Sequence, residues 1–144
     1  MSKITCASCG SEKVKKVRRN YATKYNQVPI SIEGAEMYEC SACGERFFTP
    51  EQARAVSIAT KNHVRQVQGL LLPEAIVEIR HRLGLSQTDL EGLFGLGAKV
   101  VTRWETGRVV QSKTADVALR LLDMQPEKAQ KLLAKHRTTA MVVS

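Results

Sequence analysis

The sequence is poor in the groups from which most active centres are built. It holds three histidines in 144 residues, set far apart at His63, His81 and His136. Scattered singly, they read as surface or half-buried residues rather than ligands. No Ser/His/Asp arrangement accompanies them, and no pair of carboxylates sits in a glycine-framed pocket. Neither a redox enzyme nor a metal-dependent hydrolase is therefore expected. No apolar run approaches the roughly 20 residues that span a bilayer. The opening Met1-Ser2-Lys3-Ile4-Thr5-Cys6 has no apolar stretch of secretory type, so a cytoplasmic location away from membranes is the expectation. Internal repeats and low-complexity tracts are lacking too.

Acidic residues are also in deficit, with 14 Asp and Glu against 22 Lys and Arg, a formal charge of +8. The excess is spread along the chain rather than gathered in one block. Residues 1–50 carry 8 basic against 5 acidic side chains, residues 51–72 carry 3 against 1, and residues 73–144 carry 11 against 8. A distributed positive balance suits a polyanion such as DNA, although many basic proteins bind none. The length allows one ordinary domain or two small ones, and a first segment of about 50 residues would need a staple to fold.

The four cysteines supply that staple. Cys6-Ala7-Ser8-Cys9 and Cys40-Ser41-Ala42-Cys43 are two C-x2-C pairs, each followed by glycine, Gly10 and Gly44. Two intervening residues let a tight knuckle aim both sulfurs at one ion, and the glycine turns the backbone so that N–H groups face the thiolates. Two knuckles make a closed tetrahedral site of Cys6, Cys9, Cys40 and Cys43, which reads as one structural zinc per chain. A disulfide framework fits poorly with a chain lacking a secretory segment. Redox C-x-x-C chemistry uses one such motif at a helix start. Four thiolates would also hold an iron–sulfur cluster.

Three segments emerge. Residues 1–50 form a β-rich module of short antiparallel strands, with turns near Asn26-Gln27 and Glu33-Gly34. Residues 51–72 form a connecting helix and linker. The helix starts at Thr49-Pro50-Glu51 and ends near Gln68, with Ala53, Val56, Ala59, His63, Val64 and Val67 on its less polar side. Residues 73–144 read as five helices, giving a mainly α chain with a small zinc-bound N-terminal module. Pro73-Glu74 opens the first, and Ser86-Gln87-Thr88-Asp89 is a capping box for the second. The third runs from about Ala98 to Thr106, with Gly107 just past its end. Ser112 caps a fourth that uses Val117, Ala118, Leu121 and Leu122, and Pro126 opens a fifth that uses Ala129, Leu132 and Leu133.

The second and third of these helices, joined by Gly95-Leu96-Gly97, have the pattern of a helix-turn-helix. Val100, Val101 and Trp104 point one way. Lys99, Thr102, Arg103 and Thr106 share the opposite face, with Arg108 beyond. Such a helix enters the major groove, where arginine pairs bidentately with guanine and lysine reaches guanine or phosphate. Arg103 is the expected base reader. Gln87, opening the preceding helix, is placed for a phosphate, and Glu105 for a structural role.

Taken in order, Cys6/Cys9, Cys40/Cys43-Gly44-Glu45, Leu85-Ser86-Gln87, Phe94-Gly95-Leu96-Gly97 and Arg103-Trp104-Glu105-Thr106-Gly107 resemble the MqsA-type (YgiT-type zinc-finger) antitoxins with an Xre/Cro-type helix-turn-helix. The resemblance covers nearly the whole chain. It implies a homodimer formed through the C-terminal domain, repression of its own operon at a palindromic operator, and neutralisation of a ribonuclease toxin. The family's DNA-reading asparagine and arginine fall on Lys99 and Arg103. The lysine departs from the pattern and implies a different operator sequence. A zinc-containing regulator without a toxin is the alternative.

Overall fold

Alternating apolar and polar residues between Val14 and Cys40 build one long hairpin. In the computed structural model, which describes residues 3–143, strand β1 (Val14–Tyr25) pairs antiparallel with β2 (Val28–Cys40). A two-residue strand β3 (Arg46–Phe47) adds to the other edge of β2. The connection is the tight turn at Asn26-Gln27, whose φ values of 48° and 71° are those of a hairpin turn matched to strand twist. The second expected turn, at Glu33-Gly34, does not occur. There the strand continues through a bulge in which Glu33 and Gly34 face the single residue Asn20. Gly34 takes the left-handed φ of 64°, and its N–H donates to Asn20 Oδ1 at 3.2 Å. A bulge absorbs the extra residue with less loss of pairing than a break into short strands.

The apolar interior of this hairpin is small. Ile30, Ala35 and Met37 are buried together with Cys6 and Cys40. Tyr21 meets Phe48 edge to face with centroids 5.0 Å apart.

Helix α1 spans Pro50–Gln68. Its start is a capping box: Gln52 N–H donates to Thr49 Oγ1 at 3.2 Å, and Thr49 N–H donates to Gln52 Oε1 at 3.0 Å. Its buried side differs from the one expected. Val64 is buried as expected and Val56 and Ala59 are half-buried, but Gln52, Thr60 and Arg65 are buried as well, whereas Ala53, His63 and Val67 are exposed. Hydrogen bonding explains the difference, because each buried polar side chain has a partner that offsets the cost of leaving water. The chain separates into two compact units, Met1–His63 and Val64–Ser144, and the division falls inside α1.

The second unit continues from the last turn of α1 through α2 (Pro73–Arg82), α3 (Gln87–Phe94), α4 (Val100–Glu105), α5 (Lys113–Met124) and α6 (Pro126–Val143). Ile76, Ile79, Leu83, Leu85, Leu90, Val101, Trp104, Leu119, Ala129 and Leu133 form its core. Each large apolar side chain so buried contributes about 1.5–3 kcal/mol. Two apolar faces turn differently from the expected ones. On α5 the buried stripe is Ala115, Leu119 and the half-buried Leu122, leaving Val117 43% and Leu121 60% exposed. On α6, Ala129 and Leu133 are buried but Leu132 is 47% exposed. In α5 the register is set by Asp116, which is drawn inward by hydrogen bonds from Leu71 N–H and Gln111.

Candidate functional site

The two knuckles are built alike. In each, the glycine N–H donates back to the carbonyl of the first cysteine: Gly10 to Cys6 at 2.7 Å and Gly44 to Cys40 at 2.8 Å. Both glycines have positive φ, 74° and 77°, which a side chain would strain. The hairpin then brings the pairs together. Cys6 Sγ lies 3.6 Å from Cys43 Sγ, Cys9 Sγ lies 3.6 Å from Cys40 Sγ, and the four sulfurs fall within 4.8 Å of one another. These separations exclude disulfides, whose sulfurs sit about 2 Å apart. They match a tetrahedron of sulfurs around one ion, since metal–sulfur bonds of about 2.3 Å place the sulfurs about 3.8 Å apart.

The thiols also differ in acidity in a way a cation would resolve. Backbone N–H groups of Cys43 and Ala42 bring the Cys40 thiol down to about 7. Cys43 receives help from the Glu45 N–H, yet the Cys6 thiol, burial and the remaining cysteines push it up to about 12. Four crowded thiols cannot all ionise unless a positive charge sits between them. Such an ion would be held by Cys6, Cys9, Cys40 and Cys43 with no open coordination position.

The second site is the outer side of α4. Its inner side is fixed by burial of Val101 and Trp104. Its first residue outside the helix, Lys99, has the left-handed φ of 69° and offers no side-chain cap. The buried carboxylate of Glu91 replaces that cap by accepting Val101 N–H at 3.1 Å. At the other end, Arg108 N–H donates to Arg103 O at 2.9 Å and Gly107 N–H to Trp104 O at 3.2 Å. With Gly107 at φ 81°, this is a Schellman closure, so the helix stops where the glycine allows it.

A polar brace ties α4 to its neighbours. Arg80 clasps Glu105 with two hydrogen bonds of 2.7 and 3.0 Å, and both side chains are nearly buried. Gln87 Nε2 donates to Glu105 Oε1 at 2.9 Å, and Thr102 Oγ1 donates to Gln87 Oε1 at 3.0 Å. Of the residues expected to bind nucleic acid, Lys99, Arg103, Thr106 and Arg108 are exposed. Gln87 and Thr102 are half-buried and bonded to each other. The helix itself is shorter than its expected Ala98–Thr106 span, because residues 98 and 99 belong to the turn.

Sequence reasoning did not single out Arg80, Glu91, Arg65, Gln111 or Asp116. The available signal was a charged or amide side chain at a position of the apolar stripe, as with Glu91 beside Leu90 and Asp116 beside Ala115.

Burial opposes ionisation of Glu105 and Asp116, but hydrogen bonds outweigh it. Arg80 and Gln87 hold Glu105 below the usual carboxylate range, and Leu71 N–H, Arg120 and Gln111 do the same for Asp116. Ser86 N–H and Arg137 lower Asp89. Carboxyls depressed in the folded state stabilise it above their unfolded values, near 4, and that stability is lost as pH falls through the lower folded values. The second unit should therefore keep its melting temperature from pH 7 to about 5 and lose it steeply below about 4. A melting temperature unchanged down to pH 3 would show these contacts to be idle.

The chain thus comprises a β-hairpin unit that gathers four cysteines and a helical unit with a braced, outward-facing basic helix. Comparison with known proteins places it further. The family described as the antitoxin component of a bacterial toxin–antitoxin system, MqsA, matches residues 4–133, and the chain belongs to that family. Antitoxin MqsA of Escherichia coli (strain K12) is 29% identical over 97 residues, covering 67% of this chain and 74% of that protein. The family is regulatory. Among the described residues no helix is long and apolar enough to cross a membrane.

Proposed function

We propose that this antitoxin is also a sequence-specific repressor that binds an operator palindrome as a dimer and neutralises a ribonuclease-type toxin in the cytoplasm. The observation that carries the DNA-binding part is the two-sidedness of α4. Val101 and Trp104 commit one side to the core, while Lys99, Arg103, Thr106 and Arg108 are left outside on a helix held rigid by Glu91 and Glu105. In this reading α3, the turn and α4 form a helix-turn-helix with α4 in the major groove. Arg103 reads guanine, and Lys99 a guanine or a phosphate. The Gln87 side chain is engaged within the domain, so its phosphate contact falls to the backbone N–H at the start of α3.

The exposed stripe Val117, Leu121 and Met124 on α5, spaced by one and two helical turns, supports a homodimer through this unit. Two copies of α4 about 34 Å apart would then meet successive turns of a palindrome. One structural zinc per chain occupies the cysteine cluster. Residues 1–50 act as the metal module, 51–72 as the connector and 73–144 as the DNA-binding and dimerisation domain. Membership of an antitoxin family favours this reading over a regulator that acts without a toxin.

Arg103→Ala should weaken operator binding by about 1–3 kcal/mol and relax discrimination at one base pair per half-site. Gel-shift titration on single-base operator variants at fixed salt reads both. An equal loss on every sequence would make Arg103 a phosphate contact, and no loss at all would remove α4 from the groove.

A further inference from the structure

Arg65 lies in the last part of α1 and is completely buried at 0% exposure. A fully buried guanidinium is rare, and its charge has to be met by acceptors. Two of those acceptors belong to the segment that follows α4. Arg65 Nε donates to Gln111 Oε1 at 3.1 Å, and Arg65 Nη2 donates to the carbonyl of Val109. Gln111 passes the connection on, donating from Nε2 to Leu71 O at 2.8 Å and to Asp116 Oδ1 at 3.1 Å. Asp116 also accepts from Leu71 N–H and Arg120 Nε, both at 2.8 Å, and Arg120 Nη2 donates to Gly69 O at 2.8 Å. One network, buried at Arg65, Gln111 and Asp116 and reaching the surface at Arg120, thus joins the end of α1, the linker at Gly69–Leu71, the start of α5 and the loop carrying Arg108.

We infer that Arg65 is a positioning residue for DNA binding. By holding the Val109 carbonyl and the Gln111 side chain, it sets the path of the chain from Gly107 to Gln111, and with it the placement of Arg108 beside the C-terminal end of α4. The inference rests on the DNA-binding reading of α4. It adds that the last turn of α1, outside the helix-turn-helix in sequence, is part of the reading unit. The backbone bonds to Trp104 O and Arg103 O hold only the near end of this loop, and without Arg65 the entropy of ordering its far end would be spent on binding. The Arg65 contacts order it in advance.

The test is a double-mutant cycle on the full-length metal-loaded chain, with Arg65→Met, Arg108→Ala and the double variant titrated against operator DNA. Arg65→Met should weaken binding about tenfold, and adding Arg108→Ala should weaken it little further, because both changes remove the same placed contact. Amide exchange at Arg108 and Val109, whose N–H groups both donate to Arg103 O, should accelerate in Arg65→Met while Trp104 stays protected. Wild-type affinity in Arg65→Met overturns the inference, and so do losses that simply multiply. Should Arg65→Met fail to fold, Arg65→Lys is read in the same cycle by the same criteria, since one ammonium cannot reproduce the guanidinium fork. Arg103→Ala runs alongside. If that variant also binds like wild type, the DNA-binding reading fails. If Arg103→Ala binds weakly while Arg65→Met does not, only the role of Arg65 fails.

Discussion

A chelator strong enough to remove the metal from the intact chain should abolish amide protection across residues 3–48 and leave α2–α6 folded. The reason is one of size. Apart from the two buried cysteines, the interior of the first unit holds little beyond Ile30, Ala35 and Met37, with Tyr21 and Phe48 at its margin. Side chains this few bury too little apolar surface to offset the backbone entropy of ordering the hairpin and its knuckles. Structural zinc in a thiolate site is worth about 10–16 kcal/mol near neutral pH, and that free energy becomes folding free energy. Cys40→Ser should act as chelation does, because Cys40 is fully buried and its sulfur is one of the four that would hold the ion. Hydrogen exchange followed by mass spectrometry separates the two units in one experiment. Unchanged protection at residues 14–40 without metal would mean that the hairpin folds on side-chain packing alone.

Arg80→Met should destabilise the second unit by about 3–5 kcal/mol, because it leaves the buried Glu105 carboxylate without its cation. The guanidinium and carboxylate are 11% and 5% exposed and meet through two short hydrogen bonds, so water cannot take the lost partner's place. For a unit of this size the melting temperature should fall by roughly 15–30 °C. Arg80→Met combined with Glu105→Leu should recover a large part of the loss, since removing both charges removes the orphan. The loss should also reach α4 through Gln87 and Thr102, which are bonded in series to Glu105. A melt of Arg80→Met within 1 kcal/mol of wild type, on the scale of an exposed ion pair, would show the clasp to be loose in solution.

Much of this was legible in the residues alone. The cysteine cluster was visible because C-x2-C-Gly is a local motif: two residues and a glycine dictate the knuckle wherever it is placed. The capping box at Ser86 and Asp89 is local in the same sense, and both of its hydrogen bonds are present. The stop at Gly107 follows from the only residue that takes a positive φ without strain. The buried side of α4 was legible because a lone Trp104 and Val101 are too apolar to face water.

What stayed hidden lies in contacts between distant residues. Val117 and Leu121 look as suited to a core as Ala115 and Leu119, and only the polar network around Asp116 turns the second pair inward. The bulge at Glu33-Gly34 depends on Asn20 across the hairpin. Arg65 reads as a solvated arginine near a helix end until the loop 44–46 residues later brings it a carbonyl and an amide.

The sequence by itself determined the pairing of four cysteines into two knuckles and the helix boundaries near caps and glycines, because each follows from chemistry within a few residues. The tertiary structure decided which charged side chains are buried. Burying Arg65, Arg80, Glu91, Glu105 or Asp116 is tolerable only when partners from other elements satisfy the charge, and no local pattern encodes where those partners will stand.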